Sequence, residues 1–402
     1  MNMTKEKRNA ALASVGLLAL SIYVMACNSS PSFSPDDTKV LYPAFDPVTG
    51  VIGMSVYDRE AGSSEMLFLL AGYDHGSQTN TPPCPALLRG QWLPSGKDVV
   101  IAYVGPGGNN KEGAITLSVI PWAGRKPVKT LLSECDTEKA GEFFMTSPLC
   151  VAGERLFYRG GPNQLVRIDL RTFARTEHEF EDAQGDMVIY PAPDGRGVFY
   201  LEQQTDPKEQ TVFGWLDPET FSRTPLMTTT NRLRDETRIA YDRQGRTLAY
   251  LEADDGIANL TVWRDSQVAF SRLVDTQSEK LAFGNAILTA SGKSVLATFA
   301  RANGTNATSY GLMEIPFSEA PAREVTFIQE APANGEDSVG YFQAALSHDG
   351  KTVAIASTYL GADDKGLKPE DCALFLVELS NPDWTVTKVP IPMPARKSSE
   401  GE

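Results

Sequence analysis

"ALSHDGKTVAIAS", residues 345–357, places apolar residues on both sides of a polar turn. Ala345 and Leu346 lead into His348-Asp349-Gly350, and Val353, Ala354 and Ile355 resume after it. The stretch reads as strand, turn and strand. It is not a single feature. It returns as "SFSPDDTKVLY" (32–42), "QWLPSGKDVVIAY" (91–103), "PLCVAGERLFY" (148–158), "IYPAPDGRGVFY" (189–200), "IAYDRQGRTLAY" (239–250) and "ILTASGKSVLATF" (287–299). The turns are anchored at Asp37, Gly96, Gly153, Gly195, Gly245, Gly292 and Gly350, spaced 42 to 59 residues apart. A tight hairpin needs positive φ at such a point, which Gly adopts freely and Asp tolerates.

Two more short strands follow each hairpin. "QLVRIDL" and "RTEHEF" follow the third anchor, "ANLTVWR" and "QVAFSRL" the fifth, and "CALFLVEL" and "WTVTKVPI" the last. No helical period of useful length intervenes. Each unit is therefore four strands, A to D, and repeating four-stranded units of this length are the signature of a β-propeller. The expected fold is all-β: a seven-bladed propeller of four-stranded antiparallel blades over residues 32–393, with a disordered tail at 394–402.

The anchors, best in "SPDDTKVLY", "APDGRGVFY" and "SHDGKTVAIA", resemble the "SPDGK" repeats of TolB-like propellers, whose namesake is a periplasmic protein. "CVAGERLFY" and "YDRQGRTLAY" depart from the pattern. The resemblance implies a fold and not a function. TolB's own amino-terminal domain has no room here, so its partner is not carried over.

The first 26 residues read as a leader. "MNMTKEKR" is basic, "NAALASVGLLALSIYVMA" is apolar and "VMAC" closes it. "VMAC" resembles the lipobox of bacterial lipoproteins. The resemblance implies cleavage before Cys27, lipidation of its thiol and new amino terminus, and a tether over 27–31. Asn28 resembles an outer-membrane sorting signal. The expected location is the cell envelope, on the outer membrane facing the periplasm or the cell surface. Blade 1 is expected to lack a full A strand, with residues 28–34 running outward across one face to the rim, so that the ring stands edge-on to the bilayer.

The formal net charge of −14 argues against nucleic acid, whose phosphates need Lys and Arg to displace counterions. After Cys27, four cysteines remain: Cys84, Cys135, Cys150 and Cys372. Their scatter fits no CxxC metal or redox motif. Cys84 and Cys135 fall in consecutive D–A loops and are the expected disulfide, with Cys150 and Cys372 free.

No G-x-S-x-G elbow, H-E-x-x-H or phosphate-cradling motif occurs. His348 and His178 read as solvated turn and outer-strand residues, and His75 as a loop residue between blades. Carboxylates concentrate instead in the B–C and D–A loops, which open on one face of a propeller. Their densest points are Asp254-Asp255 and Asp363-Asp364. Such pairs read as ordinary solvated acidic loops, with no cofactor expected, or as an acidic face able to hold a cationic ligand or Ca²⁺; paired carboxylates also allow glycosidase chemistry. One base follows each A–B turn: Lys39, Lys97, Arg155, Arg196, Arg246, Lys293 and Lys351. These are read as a ring of positive charge at the channel mouth, able to hold an anion, or as ordinary solvated side chains. The leading functional reading is a lipid-anchored binding or scaffold propeller without catalysis, engaging an envelope protein or a cationic ligand. The alternative is a carbohydrate-active enzyme using loop carboxylates at the central funnel.

Overall fold

The computed structural model describes residues 30–46, 51–70, 88–105, 113–124, 126–135, 149–161, 163–181, 185–193, 195, 197–204, 209–230, 233, 239–254, 257–274, 281–302, 307–332, 342–357 and 373–392. Among them are strands and turns but no helix. Twenty-eight strands form seven four-stranded sheets, and within each sheet consecutive strands are neighbours and antiparallel. The molecule is a seven-bladed β-propeller, with blades at 32–70, 88–135, 150–179, 185–229, 239–274, 281–332 and 342–390.

All seven turn anchors have positive φ, from 58° at Asp37 to 72° at Gly350. The turns themselves recur. In six blades the amide of the anchor donates to a carbonyl three residues earlier, as in Asp37 to Ser34 (2.8 Å) and Gly350 to Ser347 (2.9 Å), whereas Gly153 donates to the Gly195 carbonyl of blade 4 (2.8 Å). In blades 1, 5 and 7 the side chain that opens the turn then captures the returning strand. Ser34 Oγ accepts from the Lys39 amide, Ser347 Oγ from Thr352, and Asp242 Oδ2 from Thr247, each at 2.9 Å. This is the physical content of the "SPDGK" repeat: a hydroxyl or carboxylate that satisfies the incoming amide, and a left-handed residue that reverses the chain.

Each blade buries both faces, so its apolar residues do not alternate with polar ones; they alternate between neighbours. In strand Thr352–Ser357, Val353 and Ile355 pack towards blade 6, while Ala354 and Ala356 pack towards blade 1. Seven apolar clusters result, one at each blade-to-blade joint.

Blade 1 takes all four strands from the amino-terminal side and blade 7 all four from the carboxyl-terminal side. No strand is shared across the ring closure, which therefore rests on side chains alone. Phe33, Val40 and Tyr42 meet Ala354, Ala356, Leu374 and Leu376 there. Polar contacts supplement this joint. Arg59 donates to the Asp37 carbonyl (2.9 Å), to Thr352 Oγ1 (2.7 Å) and to Glu378 Oε1 (3.1 Å).

Strand A of blade 1 is only Ser32–Phe33, short as expected. The course of the segment before it is not as expected. Ser30 Oγ donates to Gln343 Oε1 of blade 7 (3.4 Å), and Ser30 to Phe33 line the central channel. The closure joint needs Phe33 as an apolar plug, which holds this segment at the axis and not across a face.

Candidate functional site

The chemistry-bearing feature of the ring is its central channel, a cavity of about 1130 Å³ walled by the A strands of blades 1, 2, 4, 5, 6 and 7. Its lining at the A–B end follows from the turn. In six blades the second turn residue faces the channel: Pro35, Pro94, Pro193, Arg243, Ala290 and His348. Blade 3 turns more tightly, through Gly153-Glu154, and adds nothing there. Proline suits this place because it presets the φ of the turn. Arg243 and His348 are the polar departures, and they meet. Arg243 Nη2 donates to the His348 carbonyl at 3.3 Å, reaching past blade 6 from blade 5 to blade 7. Beside them Arg264, at the end of strand Ile257–Arg264, donates to the Gly292 carbonyl at 3.2 Å.

Asp242 is the acid of the described lining, and its carboxylate is spent on the backbone. It accepts from the amides of Gln244 (2.9 Å), Arg246 (3.0 Å) and Thr247 (2.9 Å). Deeper in the wall stand Arg89, Gln91 and Trp92 of blade 2, Asn285 of blade 6 and Gln343 of blade 7. Burial pushes the Arg89 guanidinium down to about 10, so it stays charged at neutral pH. The Tyr241 hydroxyl donates to the Pro191 carbonyl (2.9 Å), and burial raises its pKa.

The seven bases expected to ring the mouth lie one or two residues after the anchor, where the chain leads away from the axis. Lys39 reaches Asp58 (3.4 Å), Arg155 pairs with Glu219, and Lys351 reaches Asp349 (3.5 Å). Lys97, Arg246 and Lys293 are exposed, and Arg196 lies outside the described residues. None of the six described bases is among the residues that line the channel. Its cations are instead Arg89, Arg243 and Arg264. The readable signal for Arg243 was its replacement of proline in "YDRQGR".

His348 is not a free turn residue. Its ring Nδ1 lies 2.8 Å from Asp37 Oδ1 across the closure joint. His178 is likewise engaged: its ring stacks on Phe221 of blade 4 at 4.9 Å and meets Phe180 edge-on at 4.6 Å. Of the acidic pairs, the backbone of Asp254 closes strand Thr247–Asp254 and pairs with Ile257. Asp255, Asp363 and Asp364 lie outside the described residues, as do Cys27, His75, Cys84 and Cys372. Among the described residues no three His, Cys, Asp or Glu side chains converge to hold a metal ion. Cys135 ends strand Val128–Cys135. Cys150 is buried with a free thiol, whose pKa burial raises.

No family model and no curated protein matches the sequence. Among solved structures the chain is similar to a complex of KlAtg21 with the coiled-coil of AgAtg16, at 10% identity over 90% of this chain and 98% of that one (TM-score 0.50). It is also similar to TolB from Acinetobacter baumannii, at 14% identity over 71% of this chain and 65% of that one (TM-score 0.39). A third is oligogalacturonate lyase in complex with manganese, at 14% identity over 90% and 87% of the two chains (TM-score 0.48). At such identities the likeness is one of fold. The class is the β-propeller, here of seven blades.

Proposed function

We propose that the chain is a lipid-anchored binding or scaffold propeller of the bacterial envelope, acting on partners by contact and not by catalysis. The observation that carries this reading is the channel. It is a walled cavity of about 1130 Å³ with arginines at its mouth, slightly larger than the roughly 300–1,000 Å³ of small-molecule sites and so roomy enough for a ligand or a partner segment. A propeller with short turns at one end offers that cavity and two open faces to partners. The anchor is the thioether lipid on Cys27, which would place the ring on the outer membrane.

The test has two arms. Cys27→Ser should move the protein out of the outer-membrane fraction and abolish lipid labelling; normal labelling of this variant would remove the anchor. Affinity capture of the full chain from detergent-solubilised envelope should retain a partner in stoichiometric amount. Loss of a hydrolytic activity on Asp254→Asn/Asp255→Asn, with capture intact, would instead favour a carbohydrate-active enzyme.

A further inference from the structure

We infer that the A–B mouth of the channel binds an extended, carboxylate-bearing peptide segment of a partner protein, with Arg243 and Arg264 as its anion anchors. The inference deepens the binding reading above and rests on it.

On the same end of the ring Lys39, Arg59, Arg155, Arg171 and Lys351 are paired with carboxylates, and Lys97, Arg246 and Lys293 stand exposed off the channel. Arg243 and Arg264 stand in the cavity wall and have no carboxylate partner among the described residues. Each gives one hydrogen bond to a carbonyl, at 3.3 and 3.2 Å, and both are exposed at the cavity. A guanidinium carries five N–H donors in a planar fork that fits a carboxylate with two parallel bonds. Most of that capacity is unused here. Asp242 does not compete for it, because its oxygens already serve three backbone amides. The chain has 51 acids against 37 Lys and Arg, so two such guanidiniums on a cavity wall are local exceptions to its charge. Low-dielectric walls concentrate their field at the mouth.

The wall below supports a chain-like ligand. Gln91 presents a side-chain amide, the group that pairs with peptide N–H and C=O, while Asn285 Oδ1 already accepts from the Ala344 amide (3.2 Å) and offers its N–H donors. Arg243 spans part of the mouth, from blade 5 to blade 7, and an extended strand is the slimmest form of a peptide, adding about 3.3–3.6 Å per residue along the axis. An acidic sugar chain fits less well. Pyranose rings stack on open aromatic faces, whereas Trp92 and Tyr190 in this wall are only 4% and 7% exposed.

The experiment uses the full chain in detergent and a fluorescein-labelled hexaglutamate peptide, read by anisotropy, with trigalacturonate as competitor. Saturable binding that weakens with salt is expected. Arg243→Ala/Arg264→Ala should weaken it by about tenfold to a hundredfold, the cost of lost charge-assisted hydrogen bonds. Both side chains are exposed, Arg243 in a turn and Arg264 at the end of a strand, so the variant should keep its melting temperature. Arg171→Ala, at the rim beside Glu154, should bind as wild type. Absence of hexaglutamate binding, equal binding by the double variant, or preference for trigalacturonate would each overturn the assignment. Capture of an envelope partner undiminished by the double variant would also overturn it while leaving the scaffold reading standing.

Discussion

The Asp37 carboxylate grips the turn of His348 at three points across the joint between the first and last blades. Oδ1 accepts from the His348 amide (2.9 Å) and lies 2.8 Å from its ring Nδ1; Oδ2 accepts from the Asp349 amide (2.9 Å). Asp37 does so from φ 58°, where the other six blades carry Gly. A left-handed conformation disfavours any residue with a Cβ, so Asp is there for its carboxylate. The closure has no shared strand, and this contact substitutes for one.

Asp37→Gly separates these roles. Gly relieves the backbone and removes the grip, and the loss of hydrogen bonds to a charged group should dominate. The variant should be less stable by about 1–3 kcal/mol. Asp37→Ala should be worse still, losing the grip and keeping the strain. His348→Asn keeps both amide contacts and should cost less than either. Thermal unfolding orders the three, and an Asp37→Gly protein as stable as wild type would show that the carboxylate does not hold the ring.

A second polar contact lies inside blade 4. Arg223 Nη1 and Glu202 Oε2 are 2.7 Å apart, with side chains 13% and 4% exposed, and the guanidinium lies over the Phe180 ring at 4.9 Å. Removing one partner of a buried pair leaves a charge without compensation. Glu202→Leu should cost about 3–5 kcal/mol, and Glu202→Leu/Arg223→Met should cost less than the single change. Chemical denaturation checks both. A double variant that adds the two single losses would mean the residues act independently.

The turn acids set the lower pH limit. Among the described residues four carboxylates lie below the ordinary aspartate value of 3.8. The Ser34 hydroxyl lowers Asp36, and the amides of Ala61 and Thr172 lower Asp58 and Asp169. For Asp349 burial pulls upwards, but bonds from Ser347 and Lys351 outweigh it. A folded-state pKa below the unfolded one gives stability that is complete above the unfolded value and is lost as pH falls through the folded one. Melting temperature should therefore hold from neutral pH to about 5 and fall below 3.8. Asp169→Asn should melt below wild type at neutral pH, and the gap should narrow as pH drops under 3.8. A gap unchanged at pH 3 would mean that the charge of Asp169 is not what its turn uses.

The repeat was legible because its cause is local: a hydroxyl or carboxylate, a left-handed residue and two apolar runs, all within thirteen residues. A second local rule was equally present and went unread. "YDREAG", "IDLRTF" and "LDPETF" each open a C–D turn with an Asp whose carboxylate accepts two amides, from Glu60 and Ala61, Arg171 and Thr172, and Glu219 and Thr220. The turn then passes through positive φ at Gly62, Phe173 or Phe221. Two of those three are Phe, so a search keyed to Gly misses the rule. Contacts set by ring closure are illegible for a different reason. Asp37 and His348 are 311 residues apart, and only completion of seven blades brings them together. The channel arginines break the repeat, and a reading that looks for recurrence passes over them.

If Cys27 carries lipid, the course of Ser30 to Phe33 along the channel favours a posture other than the expected edge-on one. An edge-on ring required the segment before blade 1 to run to the rim. Instead, Ser30 bonds Gln343 in the channel wall, and Ser32 Oγ accepts from the Trp92 amide (3.1 Å). With lipid on Cys27, only Asn28 and Ser29 precede this fixed point, a reach of about 10 Å when extended. A lipid there would leave the ring near its axis, on the side where the A strands begin, and that face is expected to lie on the bilayer. The A–B mouth with Arg243 and Arg264 would then point away from the membrane. Single cysteines distinguish the two postures in phosphatidylcholine vesicles carrying the lipidated chain outward, with Cys84, Cys135 and Cys372 replaced by Ser. Leu69→Cys and Leu273→Cys lie near the membrane-side ends of outer strands in blades 1 and 5, at 45% and 68% exposure, and Ser291→Cys lies in an A–B turn. Against an impermeant maleimide, positions 69 and 273 should both be protected relative to detergent, while 291 labels fully. In an edge-on ring the blade on the far side from the anchor stands clear of the lipid, so free labelling at 273 would restore the edge-on posture and place the terminus outside the channel.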